Sequence, residues 1–201
     1  MKLRSITILF AFAIASAAAH AQSGVYATFD AQEFTRTGLL ANPPAGSSNS
    51  DSPWLYGPTF GAYYTPSHIH IPKLGTLHTG PFLLGIDARG DILRTDSAYS
   101  RDDAIVSIRV TPKTPVGGVV PYIQGGAGDG HTKVPGQLSY TNNWSYLVAI
   151  GADRKLKGRI DWRVIEASAG FLGNYKAGLN SNNSNYMITV ASGLVVRLGG
   201  K

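Results

Sequence analysis

From residue 24 onward, stretches of about ten residues recur in which apolar and polar side chains alternate. In the first stretch, Val25, Ala27 and Phe29 occupy every second position. This period of two is typical of β-strands, whose successive side chains point to opposite faces, and convincing 3.6-residue periods are missing. The pattern predicts eight strands, near residues 24–35, 54–65, 78–91, 102–112, 118–129, 143–155, 159–172 and 184–198.

Two of these strands are irregular. In the seventh, the alternation slips at Val164 and Ile165, which predicts a β-bulge. The fifth is the weakest, because it contains Pro121 and leads into the glycine-rich segment 125–130. We expect that segment to be the root of a flexible loop and not a phosphate-binding loop, since no Lys-Ser/Thr and no helix follow it.

The two faces of the strands differ in a way that predicts the environment. The apolar faces are nearly free of charge, whereas the polar faces combine Gly, Ala, Ser and Thr with a few charges of both signs and almost no Lys. A soluble barrel is apolar inside and rich in Lys and Glu outside, while a membrane barrel is the reverse. The sequence therefore predicts an all-β fold, an eight-stranded antiparallel up-and-down transmembrane β-barrel, with a β-sandwich as the alternative.

The charges on the polar faces form the candidate site. Because buried charges must be paired to offset their desolvation, we expect them to form a salt-bridged plug that passes little or no solute. The proposed lumen network consists of Asp30, Asp87, Arg89, Arg109, Asp153, Asp161, Arg163 and Arg197.

Residues 1–21 have the pattern of a secretory signal peptide. Lys2 and Arg4 precede an apolar stretch, and Ala19-His20-Ala21 is an A-x-A cleavage site that predicts cleavage after Ala21. Residues 22–201 then form the barrel domain. Removing Lys2 and Arg4 from 18 basic residues leaves 16 against 12 acidic ones, a net charge of +4. This charge is not clustered into the basic stripe of a nucleic-acid-binding protein, so no nucleic-acid partner is expected.

The predicted connections alternate in length. With the amino terminus in the periplasm, the outward connections are 36–53, 91–101, 129–142 and 174–185, which are polar and rich in turn residues. Two of the opposite connections, 113–118 and 154–158, are tight, and 66–77 is longer. Long outward loops with short periplasmic turns are typical of an outer-membrane barrel.

These features resemble the family of small outer-membrane β-barrels of the OmpA/OmpX kind. The resemblance rests on the signal, the eight strands, and the segments 121–128 (PYIQGGAG), 149–153 (AIGAD), 160–163 (IDWR) and 193–198 (GLVVRL). It implies outer-membrane localisation, contact with outer-membrane lipid, and insertion by the barrel-assembly machinery. Many members end in an aromatic residue that this machinery reads. This chain ends in Leu198-Gly199-Gly200-Lys201, so recognition through such a residue is not expected.

Candidate chemistry is sparse. The absence of cysteine excludes disulfides, iron–sulfur clusters and a cysteine nucleophile. His68 and His70 share a face of an extended segment, but two imidazoles without a neighbouring carboxylate do not make a zinc site. Ser67 and His68 do not resemble a nucleophile motif such as G-x-S-x-G. We expect no metal, no cofactor and no enzymatic activity.

The sequence therefore predicts an outer-membrane barrel with a structural or surface-interaction role, exerted through its outward loops on a partner that the sequence does not reveal. Three other functions stay open at this point: a small pore or transporter for apolar solutes, a barrel enzyme that modifies lipid, and a soluble periplasmic ligand-binding barrel.

Overall fold

The structure, a computed structural model, describes residues 21–35, 54–66, 69–71, 75–77, 80–95, 99–133, 140–174 and 185–198. These residues form β-strands and the turns between them. The strands are β1 (Ala21–Thr35), β2 (Trp54–Pro66), β3 (Ile69–Ile71), β4 (Gly75–Leu77), β5 (Phe82–Arg94), β6 (Ser100–Pro112), β7 (Val119–Lys133), β8 (Thr141–Lys157), β9 (Ile160–Asn174) and β10 (Asn185–Arg197). Over the same residues, no helix combines the length and the apolar character needed to span a membrane.

Eight of the strands close into one antiparallel barrel, in the order β1-β10-β9-β8-β7-β6-β5-β2. The first and last strands pair along their length, from Gly24 opposite Arg197 to Thr35 opposite Tyr186. Closure gives every barrel strand two neighbours, which satisfies the backbone groups without leaving a sheet edge. The predicted eight-stranded up-and-down barrel is confirmed, and the β-sandwich alternative is wrong.

The outer face of the barrel is apolar and the inner face is polar. Ile150 on β8 keeps 63% of its surface exposed, whereas Arg163 on the neighbouring strand is fully buried inside. The other strongly exposed apolar residues of the outer belt include Phe29, Phe60, Ile86, Val106, Ile108, Ile123, Val148, Ile188 and Leu194. A belt of this kind suits lipid and not water, so a soluble barrel with an apolar interior is also excluded.

The structure corrects two predicted connections. The third was expected to span 91–101, but β5 continues to Arg94 and β6 begins at Ser100, so Asp91 and Arg101 lie on strands and point inward. The fifth was expected to begin at Asp129, but β7 continues to Lys133. The segment 125–130 is therefore part of a strand and not a loop root, because the alternation of β7 continues through its glycines.

The beginning of β1, the end of β10 and the tight turns lie together at one end of the barrel. The Leu198 amide donates to the Ser23 carbonyl, which joins the beginning of β1 to the end of β10. The β6–β7 and β8–β9 turns are short, as predicted, and positive φ angles at Gly117, Gly118 and Gly158 permit them. The longer β2–β5 connection at this end contains the β3–β4 hairpin, which the alternation pattern did not predict.

An arginine in the middle of the outer belt is expected to destabilise the barrel. Ile150→Arg places a charge near mid-strand on the lipid face, which costs about 2–4 kcal/mol at the bilayer midplane. Leu156→Arg, close to the β8–β9 turn, is the control and is expected to cost about 0–1 kcal/mol because it lies near the interface. Unfolding by guanidinium in lipid vesicles measures both, and equal costs at the two positions would contradict a membrane-facing belt.

Candidate functional site: the charged lumen

Three tyrosine rings inside the barrel each lie over a glycine of an adjacent strand. The pairs are Tyr26 over Gly61, Tyr63 over Gly24 and Tyr122 over Gly151. A Cβ atom at Gly61 would lie 2.3 Å from Cζ of Tyr26, and one at Gly151 would lie 2.4 Å from Cζ of Tyr122. The mid-strand glycines of the polar face therefore provide the space in which the rings lie flat against the barrel wall.

Arg109 on β6 lies among these rings. Its Nη2 atom is 2.8 Å from Oδ2 of Asp153, and its Nη1 atom is 3.7 Å from Oδ2 of Asp87. Its guanidinium carbon lies 3.6 Å from the centroid of Tyr122 and 4.5 Å from that of Tyr63. Cation–π contacts of this kind stabilise a desolvated guanidinium by about 2 kcal/mol or more.

Arg163 on β9 is held in the same way from the other side of Asp153. Its Nε atom is 3.0 Å from Oδ1 of Asp153, and its Nη1 atom is 3.2 Å from Oε2 of Glu166. Its guanidinium carbon lies 4.0 Å from the centroid of Tyr26 and 4.9 Å from that of Tyr122. Asp153 thus binds Arg109 with one oxygen and Arg163 with the other.

Glu166 connects this centre to Arg89. The Nη1 atom of Arg89 is 2.5 Å from Oε1 of Glu166, and the hydroxyl of Tyr122 donates to Oε2 at 2.5 Å. The Nε atom of Arg89 lies 3.5 Å from Oδ1 of Asp91. The network therefore continues from β8 and β9 across the lumen to β5.

The inward position of Glu166 depends on the predicted β-bulge. In the pairing of β8 with β9, Val164 has no partner, and the register of β9 with β10 shifts at the same point. Because of this extra residue, Arg163 and Glu166 both point into the lumen although they are three residues apart. The predicted slip of the alternation is confirmed, and it explains how an ion pair forms within one strand.

A second group of polar side chains lies nearer the end that carries the long connections. Arg101 forms an ion pair with Asp103, and its Nη1 atom donates to Oε1 of Gln32 at 2.6 Å. Its Nη2 atom also donates to the Ser145 hydroxyl at 3.1 Å. Gln32 in turn donates to the Thr189 hydroxyl at 2.7 Å, so β1, β6, β8 and β10 are joined here.

The structure brings five of the eight predicted network residues together and places the other three apart. One network joins Asp87, Arg89, Arg109, Asp153 and Arg163. Asp30 is buried but accepts hydrogen bonds from the Thr28 and Thr59 hydroxyls instead of an arginine. Asp161 pairs with the half-buried Arg197 at 3.0 Å, at the end of β10. Four buried charges were not among the predicted set: Asp91, Arg101, Asp103 and Glu166.

An apolar cluster fills the lumen beyond the second polar group. It consists of Leu55, Leu93, Tyr99, Leu172 and Met187, all buried. Leu55 is the second residue of β2 and Leu172 lies two residues before the end of β9, so the cluster lies at the end of the barrel away from the tight turns. The interior is therefore charged at its centre and apolar toward the long connections.

The side chains that could supply metal or nucleophilic chemistry are only partly described. Ser67 and His68 fall outside the described residues, and His70 lies in β3. His131 on β7 has its Nδ1 atom 2.8 Å from Oδ1 of Asn142, and its Nε2 atom 3.5 Å from Oδ2 of Asp129. Among the described residues, no group of three or more His, Asp or Glu side chains is arranged to hold a metal ion.

The apolar outer belt and the lumen filled with paired charges together identify the type of barrel. The chain has the architecture of a small outer-membrane β-barrel. The predicted resemblance to these barrels is confirmed at this level.

Comparison with known proteins gives likenesses among solved structures only. No family model and no curated protein matches the chain. The structure of Neisserial surface protein A matches with 12% identity and a TM-score of 0.47, over 87% of this chain and 97% of that one. Ail, the attachment invasion locus protein of Yersinia pestis, matches with 12% identity and a TM-score of 0.40, over 88% and 99%. The outer membrane protein OmpT of Vibrio cholerae matches with 12% identity and a TM-score of 0.29, over 84% and 52%. At these values, no function transfers from them to this chain.

Proposed function

We propose that this chain is an exported outer-membrane barrel with a closed lumen, both ends of the mature chain in the periplasm, and a structural or surface-interaction role. The observation that carries the proposal is the ionic network that joins opposite walls of the lumen. Asp153 on β8 binds arginines of β6 and β9, and Glu166 on β9 binds Arg89 on β5. An eight-stranded barrel is just wide enough for side chains to fill, so such a network leaves little room for solute.

The strength of the plug follows from its burial. Arg109, Arg163 and Asp87 are almost completely withdrawn from solvent. Removing one partner of a buried ion pair typically costs about 3–5 kcal/mol, because the other charge is left uncompensated. Opening a path through the centre would require several such contacts to break together, which supports a barrel that does not conduct.

The interacting parts of a closed barrel are its outer belt and its connections. The belt would contact outer-membrane lipid after insertion by the barrel-assembly machinery. The segments 36–53 and 175–184 are rich in Ser, Asn and Gly, and the strand ends that they join, Thr35 with Trp54 and Asn174 with Asn185, lie opposite the tight turns. Polar loops held by a rigid scaffold are where proteins commonly place binding residues, which supports a surface partner for this end. Neither a cofactor nor catalysis forms part of the proposed function.

Conductance in a planar lipid bilayer tests the closed lumen. The wild-type barrel is expected to give no ion-conducting steps. Arg109→Ala together with Asp153→Ala removes one charge of each sign and two central side chains, and is expected to produce discrete steps. Arg94→Ala with Asp102→Ala removes an exposed pair as the control and is expected to stay silent.

Fractionation accompanies this measurement. The wild-type chain should be recovered in the outer-membrane fraction and should migrate differently on a gel before and after boiling. Steps from the wild-type barrel would contradict the closed lumen, whereas recovery in the soluble periplasm would contradict the proposed location.

A further inference from the structure

The end of the barrel that carries the tight turns is strongly basic. Five exposed cations lie there: Lys113, Arg154, Lys155, Lys157 and Arg159. We call these five residues the basic rim. Among the described residues, the acidic side chains near them are Asp153 and Asp161, which are buried in the lumen. None of the five rim cations forms an ion pair with a described carboxylate.

The opposite end carries charges of both signs. Arg94 and Lys133 lie there beside Asp102 and Asp129, and Arg94 pairs with Asp102 at 2.5 Å. Charges of both signs would keep an end of the barrel solvated equally well. The uniform sign of the basic rim therefore points to a negatively charged partner at the end with the tight turns.

The basic rim borders the apolar belt directly. Arg154 lies in register with Val119 on β7 and with Trp162 on β9, and Leu156 and Ile160 are exposed close to it. The indole of Trp162 donates to the Ser192 hydroxyl at 3.1 Å and keeps 39% of its surface exposed. Tryptophan is enriched at the membrane–water interface, so the rim cations lie where lipid headgroups begin.

We infer that the basic rim binds the headgroups of anionic phospholipids in the periplasmic leaflet of the outer membrane. The inference rests on the orientation given under the proposed function. Long Lys and Arg side chains can lay their methylenes on apolar surface while the charged end reaches a phosphate. The interleaving of cations with exposed Leu156, Ile160 and Trp162 favours a lipid over a soluble acidic partner, which would not need an apolar border.

Spin-labelled lipids in vesicles test this inference. Folded wild-type barrel is reconstituted in phosphatidylcholine vesicles that contain a trace of labelled phosphatidylglycerol or of labelled phosphatidylcholine. The ratio of the two motionally restricted fractions, measured by electron paramagnetic resonance, gives the preference. We expect a preference of about fivefold or more for phosphatidylglycerol, since one Lys or Arg near an anionic leaflet contributes about that factor. Raising the salt concentration should reduce it.

Variants that lack the cations at one end of the barrel or the other show which end causes the preference for phosphatidylglycerol. The rim variant combines Lys113→Gln, Arg154→Gln, Lys155→Gln, Lys157→Gln and Arg159→Gln, and its preference for phosphatidylglycerol is expected to fall close to one. The control combines Arg94→Gln with Lys133→Gln at the other end and should keep the wild-type preference. All three proteins are first shown to be folded by their shift on boiling.

Several outcomes would overturn the inference. One is a wild-type preference of one, and another is an equal loss in the rim variant and the control. Binding of the detergent-solubilised barrel to peptidoglycan through the basic rim, without any lipid preference, would assign the rim to the cell wall instead. A wild-type chain that shows no shift on boiling would overturn the proposed function, and this inference with it. A folded barrel without lipid preference would overturn the inference alone.

Discussion

Arg163→Met is expected to lower the free energy of unfolding of the barrel by about 3–5 kcal/mol. The guanidinium of Arg163 is fully buried, 3.0 Å from Asp153 and 3.2 Å from Glu166, and it lies over the ring of Tyr26. Methionine fills much of the same volume but leaves both carboxylates with one cation fewer, in a lumen from which water is largely excluded. Equilibrium unfolding by guanidinium in lipid vesicles, followed by tryptophan fluorescence, measures the loss.

The control for this variant is Arg94→Met. Arg94 also pairs with a carboxylate, that of Asp102, but the side chain of Arg94 is 46% exposed. Exposed pairs contribute about 0–1 kcal/mol, because solvent screens the charges and side-chain entropy opposes the pairing. If Arg163→Met cost no more than Arg94→Met, the lumen network would not be a dry structural element, and a hydrated channel would become the better description.

The alternation of side chains was sufficient to predict the barrel strands. Each of the eight predicted strands corresponds to one barrel strand, because a strand with one face toward lipid and one toward a polar lumen must alternate strictly. Even Pro121 did not end β7, where it lies in register with Ala152. The alternation carries less information at strand ends, where polar residues also occur in loops. The predicted connections were therefore too long at Asp91 and at Asp129.

Two separate features explain why some residues of the lumen were not predicted from the sequence. The sequence predicts Asp91 and Arg101 in a connection, although the alternation of inward and outward side chains in β5 and β6 continues through both. Glu166 was not predicted because, after the bulge at Val164, the even-numbered residues of β9 face the lumen instead of the odd-numbered ones. The slip itself was visible in the sequence. Continuing the alternation of inward and outward side chains from the bulge at Val164 would have placed the side chain of Glu166 in the lumen.

The pairing within the lumen could not be predicted from the chain alone. Which carboxylate meets which arginine depends on the stagger between strands, and a barrel fixes that stagger only when it closes. Asp30 illustrates this, since it has the same parity as the other lumen charges but accepts from Thr28 and Thr59. The tyrosine–glycine contacts have the same origin, because Tyr122 lies over Gly151 only in the register that β7 and β8 adopt.

The largest effect of a single small substitution is expected at Gly128. A Cβ atom there would lie 1.9 Å from the Ala104 carbonyl oxygen and 2.7 Å from the Ile105 Cα, both backbone atoms of the paired strand β6. A backbone cannot rotate away as a side chain can, so Gly128→Ala must separate β6 from β7. Overpacked cores typically lose about 1–3 kcal/mol. We expect a loss above this range, seen as failure to form the species that shifts on boiling.

Gly125→Ala provides the matched control on the same strand. A Cβ at Gly125 would point outward, where its nearest neighbour is the Leu147 carbonyl oxygen at 3.8 Å, an ordinary van der Waals contact. This variant should fold like the wild type, and alanine in place of glycine also reduces the entropy of the unfolded chain. A Gly128→Ala barrel that shifts on boiling and unfolds at the same denaturant concentration as Gly125→Ala would show that β6 and β7 need not approach this closely. The tight coiling of the barrel at this pair of strands would then not be required for closure.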